Sequence, residues 1–379
     1  MIVFYPFVLI SFCGRMEKKK IVDEFFKHGA LLTPELLDGL SSESDEYRNQ
    51  FISKKHSDFI LQHKPPTENI KIIKNLTEKP PATKEDHLKF YTSMYEKMRA
   101  IITERLQKNF VSLNKLTSFR DEVFVIGIVK DIREEAETKR KIVEIEDTTT
   151  TTSVIFNQDA ECELDDVVAI QAISGGKVLF GKKILYPDIP LRKPATGHGR
   201  ACFVSDLHIN QLPKKYIEKF FAWIEQENID ALFVAGDVGD FKTFEELCGN
   251  KKTFLIPGNA DTDEEYPYLP KQTDKKNITS LSNPAIIYFN GLKILLVHDF
   301  NIEMLKKRHI GKSSVILPED FLALDDVPDI VHYGHTHKPF VSNYKSTTLI
   351  NSGSPLTNFM PVIVDFQTRD WKQVEFNIV

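Results

Sequence analysis

The sequence predicts a multi-domain chain that consists of a small helical N-terminal module, a small β-barrel and a layered α/β domain. The length of 379 residues allows about two or three domains. The hydrophobic pattern changes along the chain from helical spacing to short alternating strands, and then to buried strands that alternate with helices. Hydrophobic residues make up 41% and charged residues 27%, a globular composition that argues against disorder, collagen or a coiled-coil fibre.

Charge and cysteine content narrow the class of protein. The net charge of −5 argues against a basic protein that coats duplex DNA by itself, because neutralising phosphates requires clustered cations. The four cysteines are scattered without a CxxC pair. This spacing predicts neither a thiolate zinc site nor a disulfide framework, and it indicates a reducing cytoplasm.

The first 15 residues precede the predicted helical module. Residues 1–12 are apolar and a basic run at 18–20 follows them, whereas a secretory signal carries its positive charge first. About 12 apolar residues are also too few to span a bilayer, which needs about 20. We expect the working chain to begin at Met16, with a signal-anchor as the alternative for residues 1–15. No other stretch has the length and apolar character of a membrane span, so we expect a cytoplasmic protein.

Helical segments are predicted on both sides of a linker. Residues 16–60 form the helical module, since apolar residues recur there at helical spacing. Residues 61–86 contain two Pro-Pro pairs and scattered charge, which is typical of an extended, solvated linker. Residues 87–117 form a helical connector whose apolar stripe, from Phe90 to Ile102, is interpreted as core packing.

Residues 118–190 predict an OB-like β-barrel. Five short strands with turn residues between them occupy about 70 residues, which suits a small Greek-key barrel of the OB type. The run DIREEAETKRK at 131–141 is interpreted as a charged turn between the first two strands.

Residues 200–379 predict a layered α/β domain, because buried strands such as 201–205 and 231–236 alternate with amphipathic helices such as 214–227. Asn290-Gly291 is predicted to be the turn of a hairpin.

Polar side chains follow five of these strands at the point where each strand ends. Since the carboxyl ends of strands in open α/β folds converge on one crevice, residues far apart in sequence are expected to meet there. Asp, Asn and His suit borderline divalent metals, and seven such groups exceed what one tetrahedral ion needs. The sequence therefore predicts a site for two ions that share a carboxylate. The predicted ligands are Asp206, His208, Asp237, Asn259, His298, His335 and His337.

Other polar residues are given different roles. Asp261, which follows Asn259 closely, is assigned a catalytic role together with Asp237 and Asn259. Lys338 and Asn351 are interpreted as loop structure rather than phosphate contacts. The histidines outside the pattern are interpreted as surface or core residues: His28, His56, His63, His87, His198, His309 and His332.

The ordered motifs SDLH, GDVGD, PGNAD, VHD and YGHTH resemble the calcineurin-like metallophosphoesterase superfamily. The wider order is similar to the small subunit of archaeal family D DNA polymerase, from about Met16 to the C-terminus. That order comprises a helical module, a Pro-rich linker, a barrel with VEIEDTTT, the exit YPDIP and the phosphoesterase motifs.

The resemblance implies a function. Asp206, His208, Asp237 and His337 would hold one ion, and Asp237, Asn259, His298 and His335 the other, with Asp237 bridging. The implied cofactors are two divalent ions, Mn²⁺, which activate water for attack on a phosphodiester. The implied activity is a proofreading 3′→5′ exonuclease, and the implied partners are DNA, a large catalytic polymerase subunit in a heterodimer and a sliding clamp.

Two positions depart from the family pattern. Ala260 stands where the family has a histidine that contacts the phosphate, and Asp299 replaces the glycine common after the metal-binding histidine. Losing a positioned general acid typically costs about 10²–10⁴ in rate, so we expect metal binding with a slow exonuclease. Two alternatives remain open: a non-catalytic scaffold subunit of the polymerase, and a stand-alone nucleotide phosphodiesterase.

Overall fold

The computed structural model of the chain describes residues 69–157 and 160–376, together with Asp23. The chain divides into two compact units, residues 1–68 and 69–379, and every element below belongs to the second. The predictions for residues 1–15 and 16–60 lie outside the described residues, as does the start of the predicted linker. Among the described helices, none combines the length and apolar character that crossing a membrane requires.

Part of the predicted linker is a strand. Strand β1, Ile70–Lys74, pairs antiparallel with the later strand Ala285–Phe289 at the edge of a sheet. The Lys74 ammonium also ties β1 to a later segment outside the sheet, since its Nζ donates a 2.8 Å hydrogen bond to the Phe321 carbonyl. The prediction of a solvated linker is therefore wrong at β1, where alternating isoleucines between the proline pairs supply a pairing edge.

Helix α1, Lys84–Leu106, begins with a capping box and packs on the barrel. The Thr83 side chain accepts from the Asp86 N–H at 3.3 Å, and the Asp86 carboxylate accepts from the Thr83 N–H at 2.9 Å, which satisfies two donors at the helix start. The apolar stripe that includes Met98 packs against Ile126 and Ile128 of the barrel. Its interpretation as core packing is confirmed.

Five strands close the predicted barrel in the order β2-β3-β4-β6-β5. The run DIREEAETKRK is not all turn, because both strands continue into it and leave only residues 135–140 between them. Arg133 and Glu144 lie opposed across these arms, with a nitrogen–oxygen distance of 3.6 Å. The strands are β2 Glu122–Glu134, β3 Lys141–Glu146, β4 Thr151–Phe156, β5 Val167–Ser174 and β6 Val178–Leu185.

The predicted α/β domain contains a six-stranded sheet, five strands of a second sheet that β1 completes, and a small hairpin. The domain strands are β7 Arg200–Val204, β8 Ala231–Ala235, β9 Thr253–Ile256, β10 Ile278–Ser280, β11 Ala285–Phe289, β12 Leu292–Leu296, β13 Ile330–Tyr333, β14 Phe340–Tyr344, β15 Thr347–Asn351, β16 Gly353–Ser354, β17 Asn358–Phe359, β18 Val362–Asp365 and β19 Trp371–Gln373. The helices are α2 Lys214–Gln226, α3 Phe241–Leu247 and α4 Ile302–Lys307.

The two sheets pack face to face. One has the order β10-β9-β8-β7-β18-β19 and the other β1-β11-β12-β13-β15-β14. Aromatic residues from both fill the space between them, including Phe203, Phe254 and Phe289. Helices α2 and α3 cover the outer face of the first sheet, with Phe220 and Phe244 buried there. The predicted fold class, an OB-like barrel and a layered α/β domain, is confirmed, as is the Asn290-Gly291 turn between β11 and β12.

Parallel strands bring their carboxyl ends to one edge of this sandwich. Strands β7, β8 and β9 run parallel in the first sheet, and β12, β13 and β15 run parallel in the second. In such sheets, ligands bind in the crevice beyond the strand carboxyl ends. The loops after β7, β8, β9, β12 and β13 therefore meet above the inter-sheet core.

Candidate metal centre

Five residues at this edge have left-handed backbones although none is glycine. Their φ angles are 54° at Asp206, 43° at His208, 51° at Asp237, 66° at His335 and 55° at His337. Such conformations cost about 1–3 kcal/mol each and cluster at functional sites, where the surrounding structure fixes them. At each of these strained turns, the backbone leaves its strand and directs a side chain into the crevice within one or two residues.

The first group of candidate ligands is Asp206, His208 and His337, each of which offers one atom within 4.8 Å of the others. The His208 Nε2 and His337 Nε2 atoms are 3.0 Å apart. The His337 Nε2 atom also lies 3.5 Å from Asp206 Oδ1. Two imidazole nitrogens and a carboxylate that face one another in this way form a donor set for a borderline divalent ion.

The second group is Asp206, Asp237 and His298, all buried. The His298 Nε2 atom lies 3.3 Å from Asp237 Oδ2 and 4.0 Å from Asp206 Oδ1. Asp206 is the carboxylate that both groups share. Asp237, which the resemblance implies as the bridge, lies 3.9 Å from the His208 ring of the first group, so both carboxylates stand between the two sets.

Asn259 and His335 form the outer side of the second set. The Asn259 Oδ1 atom is 3.0 Å from His335 Nδ1, and both residues are exposed. The His335 backbone N–H donates to Asp206 Oδ1 at 2.9 Å. The structure therefore brings five of the predicted ligands into two groups of three that share Asp206, and the pair of Asn259 and His335 adds the sixth and the seventh.

Burial and neighbouring charges shift the pKa values in this cluster. Burial is the main cause of a raised pKa at Asp206. Burial would also raise the pKa of Asp237, but the His298 ring and the Ala260 N–H, which donates to Asp237 at 2.9 Å, hold it below its usual value. Burial lowers the pKa of His298, yet the Asp237 and Asp206 carboxylates outweigh it and raise the pKa to about 9. The crevice thus favours positive charge.

Two buried atoms in the cluster lack a hydrogen-bond partner, namely Asp206 Oδ2 and His298 Nε2. His298 Nδ1 lies 2.8 Å from the Ala235 carbonyl, a contact that requires a proton on Nδ1, so Nε2 is the nitrogen that would give up its proton to bind a cation in the crevice. Metal-binding histidines are oriented by such outer-shell acceptors. Because unpaired buried polar atoms are costly, the free oxygen and nitrogen fit a divalent cation.

Glycine is required where the loops approach these ligands. A Cβ on Gly258 would lie 2.1 Å from Asp237 Oδ1, and one on Gly334 would lie 2.4 Å from Asp206 Oδ2. The glycines of the GD, PGN and GHTH motifs therefore allow the backbone to pass close to the ligands that the same motifs supply.

Asp261, which is predicted to be catalytic, lies between two loops of the centre. Its carboxylate accepts from three backbone N–H groups, those of Val238 at 3.2 Å, Gly239 at 2.9 Å and Gly258 at 2.8 Å. These bonds hold the loop after β8 to the loop after β9. The catalytic role of Asp261 stays a prediction, and the engagement of its oxygens with the backbone favours a positioning role instead.

Two residues that sequence reasoning missed also shape the centre. Asn283, 1% exposed, accepts from the His298 N–H at 3.2 Å and donates to the Pro257 carbonyl at 2.9 Å. Tyr268 is half-buried, and burial together with the nearby Asp237 and Asp299 carboxylates raises its pKa. The Asn-Pro dipeptide before β11 is a local sequence signal that could have identified Asn283 as a structural residue, whereas no local signal identifies Tyr268.

Lys338 lies in a loop, as its interpretation has it, whereas Asn351 is the last residue of strand β15. Asn351 is fully buried and donates to the Gly334 carbonyl at 2.9 Å, while Lys338 is exposed beside His337.

Comparison with known proteins agrees with this geometry. Residues 200–365 match the calcineurin-like phosphoesterase superfamily domain. This part of the chain is thus similar to calcineurin-like phosphoesterase domains. Calcineurin-like phosphoesterases bind divalent metals, and the two candidate groups both lie within the matched residues.

Similarity extends beyond this domain to proteins named DNA polymerase II small subunit. The chain is 26% identical over 376 residues to that of Methanothermobacter thermautotrophicus, covering 78% of this chain and 75% of the relative. It is 25% identical over 427 residues to that of Archaeoglobus fulgidus, covering 90% and 82%. It is 26% identical over 433 residues to that of Pyrococcus furiosus, covering 88% and 70%. These homologues thus match the chain over most of its length.

Proposed function

We propose that this chain is the small subunit of a two-subunit replicative DNA polymerase and that its phosphoesterase domain carries a two-metal 3′→5′ exonuclease site. The observation that carries the proposal is the convergence of seven metal-ligand side chains, with two unpaired buried atoms among them, on one crevice. The polymerase part rests on the homologues named DNA polymerase II small subunit.

The chemistry proposed is hydrolysis of a phosphodiester. Two divalent ions, which we propose to be Mn²⁺, would lower the pKa of water and neutralise charge that develops on the phosphate oxygens. Asp206, His208 and His337 would hold one ion, with Asp237 beside them. Asp237 and His298 would hold the other, with Asn259 and His335 at its exposed side, where a substrate has access.

The chain's own residues prepare this site before substrate arrives. Asp261 fixes the loops after β8 and β9, and Asn283 fixes the start of the loop at His298. Preorganised groups of this kind cost little reorganisation during reaction. The Ala260 side chain is exposed and offers no proton, while its N–H is used by Asp237, so we expect the leaving group to take its proton from water and the rate to be low.

The partners proposed are DNA, a large catalytic subunit that forms a heterodimer with this chain, and a sliding clamp. A net charge of −5 suits a subunit that relies on another chain to grip DNA. A cytoplasmic location belongs to the same proposal.

A second candidate function is a non-catalytic scaffold of the polymerase, and the observation that favours it is Ala260. Without the imidazole that contacts phosphate in the family, the centre could bind metal for stability alone. The set of ligands argues for retained hydrolysis, because a purely structural centre would not need an open, exposed side at Asn259 and His335.

One experiment separates these functions. The purified full chain with Mn²⁺ is incubated with a single strand and with a primer that carries a mismatched 3′ end, and products are resolved by length. We expect stepwise shortening from the 3′ end, abolished in Asp237→Ala and accelerated in Ala260→His. The exposed Asp263→Ala in the same loop is the matched control and should behave as wild type.

Each other outcome has a distinct meaning. An inactive wild type that Ala260→His activates would favour the scaffold. Rapid hydrolysis of small diesters without any effect on DNA would favour a stand-alone phosphodiesterase. Shortening that persists in Asp237→Ala would contradict the site itself.

A further inference from the structure

Strand β14 begins beside the loop of His335 and His337 and carries an exposed aromatic ring there. Phe340, the first residue of β14, is 50% exposed. Lys338 is also exposed and takes part in no ion pair within residues 69–157 and 160–376. Single exposed hydrophobic residues are common, so the position of this ring, rather than its exposure, has to carry any functional meaning.

The strand register places Phe340 in a row of paired residues across the sheet, and the last residue of this row lies next to the candidate metal centre. Phe340 pairs with Asn351 of β15, and Asn351 pairs with Tyr333 of β13. Tyr333 is followed directly by Gly334 and His335. Neighbouring strands are about 4.8 Å apart, so the Phe340 backbone lies about 10 Å from that of Tyr333 across the sheet. This is a distance that one or two nucleotides of an extended strand can span.

Hydrogen bonds hold the segment that carries the Phe340 ring in place. The Asn351 side chain donates to the Gly334 carbonyl at 2.9 Å and to Thr336 Oγ1 at 3.1 Å, which ties β15 to the ligand loop. On the other side, Thr357 Oγ1 donates to the His337 carbonyl at 3.0 Å. The segment from His335 to Phe340 is thus held from both sides, and the ring keeps its place relative to the ligands.

We propose that Phe340, with Lys338 beside it, is the surface on which a base of a single-stranded nucleic acid stacks while its 3′-terminal phosphodiester occupies the metal centre. This inference rests on the proposed nuclease function and names the form of its substrate. Aromatic rings stack on any base, so they bind single strands without reading sequence, and a lysine alongside contacts the phosphate backbone. A duplex cannot use this surface, because its bases already stack on one another.

The test measures binding separately from cleavage. Full-length chain is titrated onto a short fluorescein-labelled oligothymidylate with Ca²⁺ in place of Mn²⁺, and anisotropy gives the Kd. We expect Phe340→Ala to raise the Kd about 5- to 150-fold, the range that corresponds to one base–aromatic stack. Phe340→Trp should retain affinity, and its added indole fluorescence should be quenched by the oligonucleotide beyond the quenching seen in wild type.

Trp371→Ala is the matched control. Trp371 is an aromatic residue on an edge strand and is 42% exposed. It pairs with Val364, which pairs with Ala201 near the start of β7, so it lies at the end of the sheet opposite to Asp206. Its removal should leave the Kd unchanged. Equal Kd values for Phe340→Ala and Trp371→Ala would overturn the proposal.

Two further measurements complete the test. Lys338→Gln should lower the slope of log K against log salt by about 0.7, the value for one phosphate contact on a single strand, and an unchanged slope would remove Lys338 from the surface. Hydrolysis of bis(p-nitrophenyl) phosphate with Mn²⁺ reports whether the metal centre is active on a small diester, and Trp371→Ala should leave it unchanged. If wild type cleaves neither the diester nor DNA, the nuclease function fails while the binding data still decide the stacking surface.

Discussion

The imidazole of His332 is fully buried between the two sheets, and we expect its titration to weaken the domain in acid. Its Nε2 atom lies 2.8 Å from the Val204 carbonyl of β7 and its Nδ1 atom 3.2 Å from the Ile350 carbonyl of β15. A neutral imidazole has one N–H, which the shorter contact assigns to Nε2. The ring therefore joins the first sheet to the second. Its partner Val204 lies two residues before Asp206, and His332 itself lies three residues before His335.

The magnitude follows from the pKa. Burial lowers the pKa of His332 from its ordinary 6.5 to about 4, against the opposing effect of the carbonyls. Between these values the unfolded chain binds a proton that the folded chain does not. Stability is therefore complete above pH 6.5 and is lost as the pH falls toward 4. At 1.36 kcal/mol for each pH unit, the contribution of this one residue is about 3 kcal/mol.

The assay is urea unfolding of the metal-free chain at a series of pH values from neutral to acid, followed by tryptophan fluorescence. His332→Gln keeps a side-chain donor for the Val204 carbonyl but cannot titrate, so its free energy of unfolding should fall less over this range, by about 3 kcal/mol. His87→Gln, on the exposed face of α1, is the control and should follow wild type. Parallel curves for wild type and His332→Gln would refute the reasoning.

The remaining predictions concern the centre. In Gly258→Ala the new Cβ would lie 2.1 Å from Asp237 Oδ1, so calorimetric titration should show weaker Mn²⁺ binding or one ion fewer; unchanged binding would contradict the packing. Asp261→Ala should destabilise by about 1–3 kcal/mol in urea, because three backbone N–H groups lose their acceptor, and the exposed Asp263→Ala should not. Mn²⁺ at about 100 times its Kd should stabilise the chain by about 2.7 kcal/mol and a chelator should reverse this, whereas a melting temperature indifferent to Mn²⁺ would contradict a metal site.

The strand ends that carry the ligands could be predicted from the sequence because two signals coincide there. A run such as ACFVS has the apolar character of a buried strand, and a polar pair such as Asp206 and His208 directly after it cannot continue that strand. The same argument applies at Asp237, Asn259 and His335. Parallel strand order then brings these ends together without any knowledge of contacts.

Features that depend on long-range pairing were not predictable in the same way. Ile70 of strand β1 is 219 residues from its partner Phe289, whereas the proline-rich flanks of β1 are local, and their composition favours the interpretation as a linker. Asp261 resembles a ligand in the string PGNAD, and only the positions of the Val238 and Gly239 N–H groups show that it joins two loops. The local sequence shows which polar side chains are present, but it does not show which distant backbone groups they form hydrogen bonds with.

The architecture explains how an unfavourable cluster of carboxylates and imidazoles can be held in place. Left-handed residues such as Asp206 and Asp237, together with unpaired atoms such as His298 Nε2, each cost free energy that no local interaction returns. The inter-sheet core immediately below them is filled with aromatic residues, and burying each such side chain stabilises by about 1.5–3 kcal/mol. The rigid sandwich therefore supports a centre that a bound cation would relieve. Burial disfavours the charged form of Asp206, so Asp206→Asn should raise the free energy of unfolding of the metal-free chain in urea even as it weakens metal binding, and a lower free energy would contradict this argument.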